Sequence, residues 1–113
     1  MDCIFCKIIK GELPADIVYQ DDDMVAFNDL HPRAPIHQLI VPKKHFASLN
    51  DLTDADTLLV GKMIQKARLL AKEAGIAESG YRTVFNCNED GGQIIFHLHL
   101  HLIGGRKLEW PPG

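Results

Sequence analysis

The sequence predicts an α+β fold built on an antiparallel sheet, from three observations. Five short segments have the apolar or alternating character of strands, one long and one short segment have helical spacing, and turn-type residues separate neighbouring strands. At 113 residues the chain is expected to form one domain, residues 1–113, with a core small enough to gain from dimerisation.

Residues 2–11 carry the spacing of a short helix, with Asp2 placed to cap it and Gly11 to end it. Ile17-Val18-Tyr19-Gln20 reads as a strand, Asp21-Asp22-Asp23 as a solvated turn and Met24 to Asn28 as the returning strand. Pro32 and Pro35 make residues 29–35 a shaped loop, after which His37 opens a third strand that ends in Pro42-Lys43-Lys44-His45. Thr53 looks like the cap of the long helix, on which Leu59, Met63, Ala67, Leu70 and Ala74 keep one face until Gly75 stops it. Lys62, Lys66 and Lys72 interleave with that stripe as a solvated face. Residues 81–87 return to strand, with Cys87 expected to be a buried structural thiol, and the glycine loop 88–93 leads into a last strand over 97–103. The strands are expected in meander order.

Composition bounds the function. The net charge of −3 argues against general nucleic-acid binding, and no stretch approaches the roughly 20 apolar residues of a membrane span. The N-terminus lacks the pattern of a secretion signal, so the expected location is the cytoplasm, where three cysteines point to metal or thiol chemistry before disulfides. Cys3 and Cys6 fall one helical turn apart. No strand precedes them, which disfavours a thioredoxin-like redox motif. Zinc is the better reading, completed by histidines because there is no second Cys-x-x-Cys; the plainer alternative is a pair of inert core thiols.

The strongest signal is His97-Leu98-His99-Leu100-His101-Leu102-Ile103. In a strand, this alternation puts three imidazoles on one face, close enough to surround a phosphate or share a metal, and three leucines on the other. Histidine is neither a favoured strand former nor a usual core residue, so three in strict alternation indicate chemistry more than packing.

Residue for residue, this stretch resembles the His-φ-His-φ-His-φ-φ signature (φ is apolar) of the histidine triad (HIT) superfamily of nucleotide hydrolases and transferases. The block of His37, strand and Pro42-Lys43-Lys44-His45 is similar to the same family, and the resemblance runs from Cys3 to the Trp110-Pro111-Pro112-Gly113 end, closest to the Hint branch. It implies a five-stranded antiparallel sheet joined to a second one across a homodimer, and hydrolysis of purine nucleoside phosphoramidates. It implies His99 as nucleophile, forming a nucleotidyl-histidine, with the proton on its other ring nitrogen held by a carbonyl. His101 and His37 would contact the phosphate, aided by the Gly92 N–H and Asn86; Asp29 would take the ribose hydroxyls, and Ile8, Phe27 and Leu30 would sandwich the base. His45 would be a zinc ligand beside Cys3 and Cys6, and His97 is assigned as the fourth. Trp110 would contact the leaving group at the other protomer's site.

One position departs from the pattern. Hint enzymes often carry serine, threonine or an acidic residue after Gly-Gly-Gln, whereas here Ile94 donates nothing to a leaving group. A catalytic tri-histidine zinc hydrolase is a rival reading, though it leaves the cysteine pair unexplained. A nucleotide-binding adaptor with little turnover is another.

Overall fold

A computed structural model describes residues 3–113. Helix α1 spans Ile4–Ile9, and its N-cap is Cys3, whose Sγ accepts from the Cys6 N–H at 3.3 Å. Asp2, expected as the cap, lies outside the described residues. Strands β1 (Ile17–Gln20) and β2 (Met24–Asn28) form a hairpin. Within its aspartate turn, Asp21 accepts from the N–H groups of Asp23 and Met24 at 2.8 and 2.9 Å and from the Tyr19 hydroxyl at 2.7 Å. Strand β3 (Ile36–Pro42), helix α2 (Thr57–Glu73), and strands β4 (Tyr81–Val84) and β5 (Leu100–Gly104) complete the fold. No helix among the described residues is long and apolar enough to cross a membrane.

The sheet is antiparallel and five-stranded, in the order β1-β2-β3-β5-β4. It is therefore a meander only through β3. The crossover carrying α2 delivers β4 to the edge, and β5 returns between β3 and β4.

Strand alternation sorts side chains onto two faces, both of them packed. Met24, Ala26, Ile40, Leu98, Leu100 and Leu102 meet Met63, Ala67, Leu70 and Ala71 of α2. Val25, Phe27, Leu39 and Val41 meet Cys3 and Phe5 of the N-terminal segment. The histidine face is thus partly a second core and not an open row.

The sequence-based expectations need several adjustments. Thr53 does form a capping box, but with Asp56 over a 3-10 turn, Asp54–Asp56, that feeds into α2. Leu59 and Ala74 are only half-buried, while Ala71 is fully buried. Lys66 is not simply solvated, because its Nζ lies 3.6 Å from the Tyr19 ring centroid, and Lys62 pairs with Asp23 at 3.4 Å. The fourth strand stops at Val84, leaving Cys87 half-buried outside it. A Cβ on Gly91 would lie 2.8 Å from the Cys87 nitrogen, so that glycine serves close backbone approach within the loop itself.

The last strand is also shorter than expected. Pairing ends at Ile40 with Leu100, so His97, Leu98 and His99 lie outside the ladder. The reason is Pro42: it has no N–H to donate, and its carbonyl accepts from the His97 ring at 2.8 Å. The alternation nonetheless persists, since Leu98 stays in the α2-facing core.

Truncating Leu100, which is 1% exposed between two strands, to alanine should cost about 2–5 kcal/mol of stability by denaturant titration. Ile17→Ala, at the sheet edge and 42% exposed, should cost less than about 1 kcal/mol. Similar losses at both sites would contradict a core centred on β5.

Candidate functional site

Two groups of side chains converge on the face covered by α1. The first surrounds a cleft of about 400 Å³ whose lining includes His37, His99 and His101. The register pairs Leu39 with His101 and His37 with Ile103, so His37 and His101 are diagonal neighbours on one face, with ring centroids 5.2 Å apart. The His99 ring lies 4.8 Å from His101, and Phe5 of α1 stands edge-on to it at 5.1 Å. Val84, Ile95 and Ile103 add apolar lining, and Asp29, His31 and Arg33 come from the proline-bounded loop.

Backbone groups determine which nitrogen of each ring carries the proton. The His97 carbonyl accepts from His99 Nδ1–H at 2.7 Å, leaving the His99 Nε2 lone pair available. The Arg33 N–H donates to His37 Nδ1 at 3.0 Å, which places the His37 proton on Nε2. That Nε2–H then donates to His101 Nδ1 at 2.9 Å, so the His101 proton belongs on Nε2. By this assignment one ring offers a free lone pair, and another presents a donor.

Electrostatics keep these rings neutral. Burial holds His37 and His99 below the usual imidazole range, and the Asp29 carboxylate, 3.5 Å from His37 Nε2, only partly opposes it. His101 is pushed down to about 4, by burial first and then by the neighbouring His99 and His37.

The second group is Cys3, Cys6, His45 and His97, whose donor atoms all lie within 4.8 Å of one another. Cys3 Sγ is 3.3 Å from His97 Nδ1, Cys6 Sγ is 3.4 Å from His45 Nδ1, and the two Nδ1 atoms are 3.0 Å apart. These are separations that ligands around one small tetrahedral cation adopt, and two thiolates with two imidazoles form a closed structural donor set. The His97 Nε2–H bond to the Pro42 carbonyl bares Nδ1 for a metal, the usual outer partner of a ligating histidine. Asp29, His37 and His101 also cluster within 4.8 Å. A cation there would need the His37 proton moved to Nδ1, against the Arg33 N–H, so this second cluster reads as a hydrogen-bonded set.

Of the residues singled out from sequence, His37, His99, His101, Asp29, Asn86 and Gly92 line one cleft, and Cys3, Cys6, His45 and His97 meet at one point. The carbonyl expected to hold the His99 proton is that of His97. The Gly92 N–H, expected on the phosphate, instead donates to the Glu89 carbonyl at 2.9 Å, because positive φ at Gly92 closes a tight turn. Asp29 accepts from the His31 N–H at 2.8 Å with the carboxylate oxygen that does not face His37. Ile8, Phe27, Leu30 and Trp110 are not part of the cleft lining. Phe27 is buried behind Phe5 with centroids 5.5 Å apart, Ile8 packs at the α1 core, and Leu30 and Trp110 are exposed. Phe5, His31 and Arg33 were not foreseen. Phe5 lies between two cysteines already assigned to a shared metal, and His31 and Arg33 are close in sequence to His37, which was the available signal.

The family profile described as scavenger mRNA decapping enzyme C-term binding matches residues 2–109. Purine nucleoside phosphoramidase of Escherichia coli (strain K12) is 48% identical over 107 residues, covering 95% of this chain and 90% of that protein. A HIT family hydrolase from Legionella pneumophila Philadelphia 1 superimposes with a TM-score of 0.97 at 51% identity, covering 99% of this chain and all of that one. A Zn-bound histidine triad family protein from Mycobacterium smegmatis superimposes at 0.81 with 30% identity, over 94% of this chain and 76% of that one.

Because the fold depresses the His101 pKa to about 4 from an ordinary value of about 6.5, the unfolded chain binds more protons between those values. Stability should therefore fall as pH drops through that window, with no slope from His101 above it. Following the ring C–H resonances by NMR should give a His101 midpoint near 4; a midpoint at about 6.5 would reject the buried, neutral ring.

Proposed function

The chain belongs to the histidine triad superfamily, in its Hint-like branch, and from that premise we propose that it hydrolyses purine nucleoside phosphoramidates through a nucleotidyl-histidine on His99. The observation that carries this reading is the 2.7 Å bond from His99 Nδ1–H to the His97 carbonyl, which leaves a buried, neutral Nε2 pointed at chemistry instead of packing. In the first step His99 Nε2 attacks phosphorus, the P–N bond breaks and the amine departs with a proton. In the second, water displaces His99 from phosphorus and releases the nucleoside monophosphate. His101 Nε2–H and the His37 ring stabilise charge on the nonbridging oxygens, with Asn86 and the Gly92 loop nearby. Asp29 would take the ribose, and Ile8, Phe27 and Leu30 would hold the base.

Ile94 sits at the cleft and is 86% exposed. It offers no proton to the amine, so that proton comes from His101 or from water. The same observation favours a second reading, an adaptor that binds nucleotide and turns over little.

Cys3, Cys6, His45 and His97 would hold a structural zinc, a reading supported by their donor geometry and by the Zn-bound relative. Zinc would supply a cross-link between α1 and the sheet, which keeps Phe5 against His99. A homodimer is supported by the unpaired edge of β4 and by exposed Leu58, Ile64 and Leu69 on α2. Trp110, 81% exposed at the tail, would reach the partner's site and touch the leaving group. The cytoplasm, where the three thiols stay reduced, is the matching compartment for this one-domain chain.

His99→Ala should abolish formation of the labelled nucleotidyl-enzyme while leaving nucleotide affinity within about tenfold, because the nucleophile is lost but most ground-state contacts remain. Residual turnover comparable with the parent would exclude His99 as nucleophile. An intact parent that binds nucleotide without ever trapping label would favour the adaptor.

Metal analysis should find about one zinc per chain, and chelation should lower the melting temperature sharply, since binding energy at a closed site is folding energy. An unchanged melting curve after complete metal removal would leave the two cysteines as inert thiols.

A further inference from the structure

The C-terminal segment leaves β5 at Gly104 and immediately meets the proline-bounded loop that carries Arg33. Arg106 Nε and Nη2 both donate to the Arg33 carbonyl, at 3.2 and 2.8 Å, and its Nη1 donates to the Lys107 carbonyl at 3.0 Å. Gly105, the residue before it, has φ +95°, and a Cβ there would lie 2.9 Å from Pro35 Cβ. Tail and loop are therefore docked by two independent contacts, a guanidinium fork and a glycine that admits close approach.

The loop carries more than its own shape. It is closed at its base by the Asp29 N–H bond to the His37 carbonyl at 2.9 Å, and Arg33 lies inside it with its N–H on His37 Nδ1. We infer that Arg106, which does not line the cleft, is a positioning residue for the His37–His101 pair. By holding the Arg33 carbonyl it orients that residue's backbone, so that the N–H stays aimed at His37 Nδ1. Without that donor, His37 is free to carry its proton on Nδ1. Its bare Nε2 would then face the bare Nδ1 of His101, two acceptors 2.9 Å apart, and the pair would separate or both rings would exchange tautomer. A side chain outside the cleft thus controls which nitrogen of two cleft histidines presents a proton.

The inference rests on the proposed function for its catalytic consequence but not for its structural one, and the test separates the two. Zinc-loaded full-length protein with ¹⁵N-labelled histidine is compared as parent, Arg106→Ala, Arg106→Lys and Arg82→Ala. Arg82 is the control because its Nη2 holds the Glu109 carbonyl at 2.9 Å, tethering the tail to itself and not to the loop. The parent should show His37 with its proton on Nε2. Arg106→Ala should move the His37 and His101 ring-nitrogen resonances toward a tautomer mixture, and kcat for an adenosine phosphoramidate should fall about tenfold with KM little changed. Arg106→Lys, which keeps the charge but loses the fork, should fall between; Arg82→Ala should keep the parent's ring-nitrogen spectrum. Gly105→Ala, which forces the tail off Pro35, should reproduce the Arg106→Ala spectrum. A parent-like His37 spectrum in Arg106→Ala, whatever its melting temperature, overturns the inference. A shifted spectrum beside a parent that cleaves no phosphoramidate upholds it and overturns the proposed function instead.

Discussion

The hydrogen bond from His99 Nδ1–H to the carbonyl of His97 organises the site because it joins the two groups of histidines through one residue. His97 directs its ring toward Cys3 and Cys6 and its carbonyl toward His99. Both are possible only because the chain has left the ladder by this point, with the Pro42 carbonyl occupied by the His97 ring. Had the strand continued in register, the carbonyl of His97 would have had ladder or solvent partners instead of an imidazole. A single proline at the end of β3 therefore makes room for both sites.

Burial and proton placement reinforce one another here. Imidazoles enclosed by Phe5, Leu39 and Ile103 resist protonation, and a neutral ring has one donor and one acceptor, each of which must be satisfied or exposed to the cleft. Leaving a buried polar group unpaired costs about 1–3 kcal/mol, enough to select one tautomer over the other by about fivefold to a hundredfold. The carbonyls of His97 and Pro42 and the N–H of Arg33 supply those partners from the main chain, which cannot rotate away as a side chain can. The site is thereby arranged before any substrate arrives.

The same economy of elements shows in α1. Its Cys6 and its N-cap Cys3 both enter the candidate metal centre, and its Phe5 ring meets both His97 and His99, at 6.0 and 5.1 Å. So short a helix has little stability of its own. Its packing on Val25, Phe27 and Leu39, and the donor cluster at its start, are what keep Phe5 in place.

Alternation in residues 97–103 was sufficient to separate leucines from histidines, because side-chain direction follows from the extended backbone whether or not a neighbouring strand pairs with it. Helical spacing identified Met63, Ala67 and Leu70, and ligand-type chemistry singled out Cys3 and Cys6 as a pair in want of histidine partners, by local rules that need no partner strand, while His45 came from the resemblance. Resemblance added the roles of His99 and the cleft residues. The sequence could not show where β5 begins, why Ala71 is buried and Leu59 only partly, or that the Gly92 N–H is already bonded within its own turn. Nor could it show that Arg33 and Arg106 bear on His37. The start of β5 and the link from Arg106 to His37 depend on hydrogen bonds between groups far apart in the chain, 55 residues for His97 with Pro42 and 73 for Arg106 with Arg33. Apart from the N–H that proline lacks, a backbone carbonyl or N–H is the same group at every residue, so its choice of partner leaves no mark in the sequence, and only the folded chain decides it.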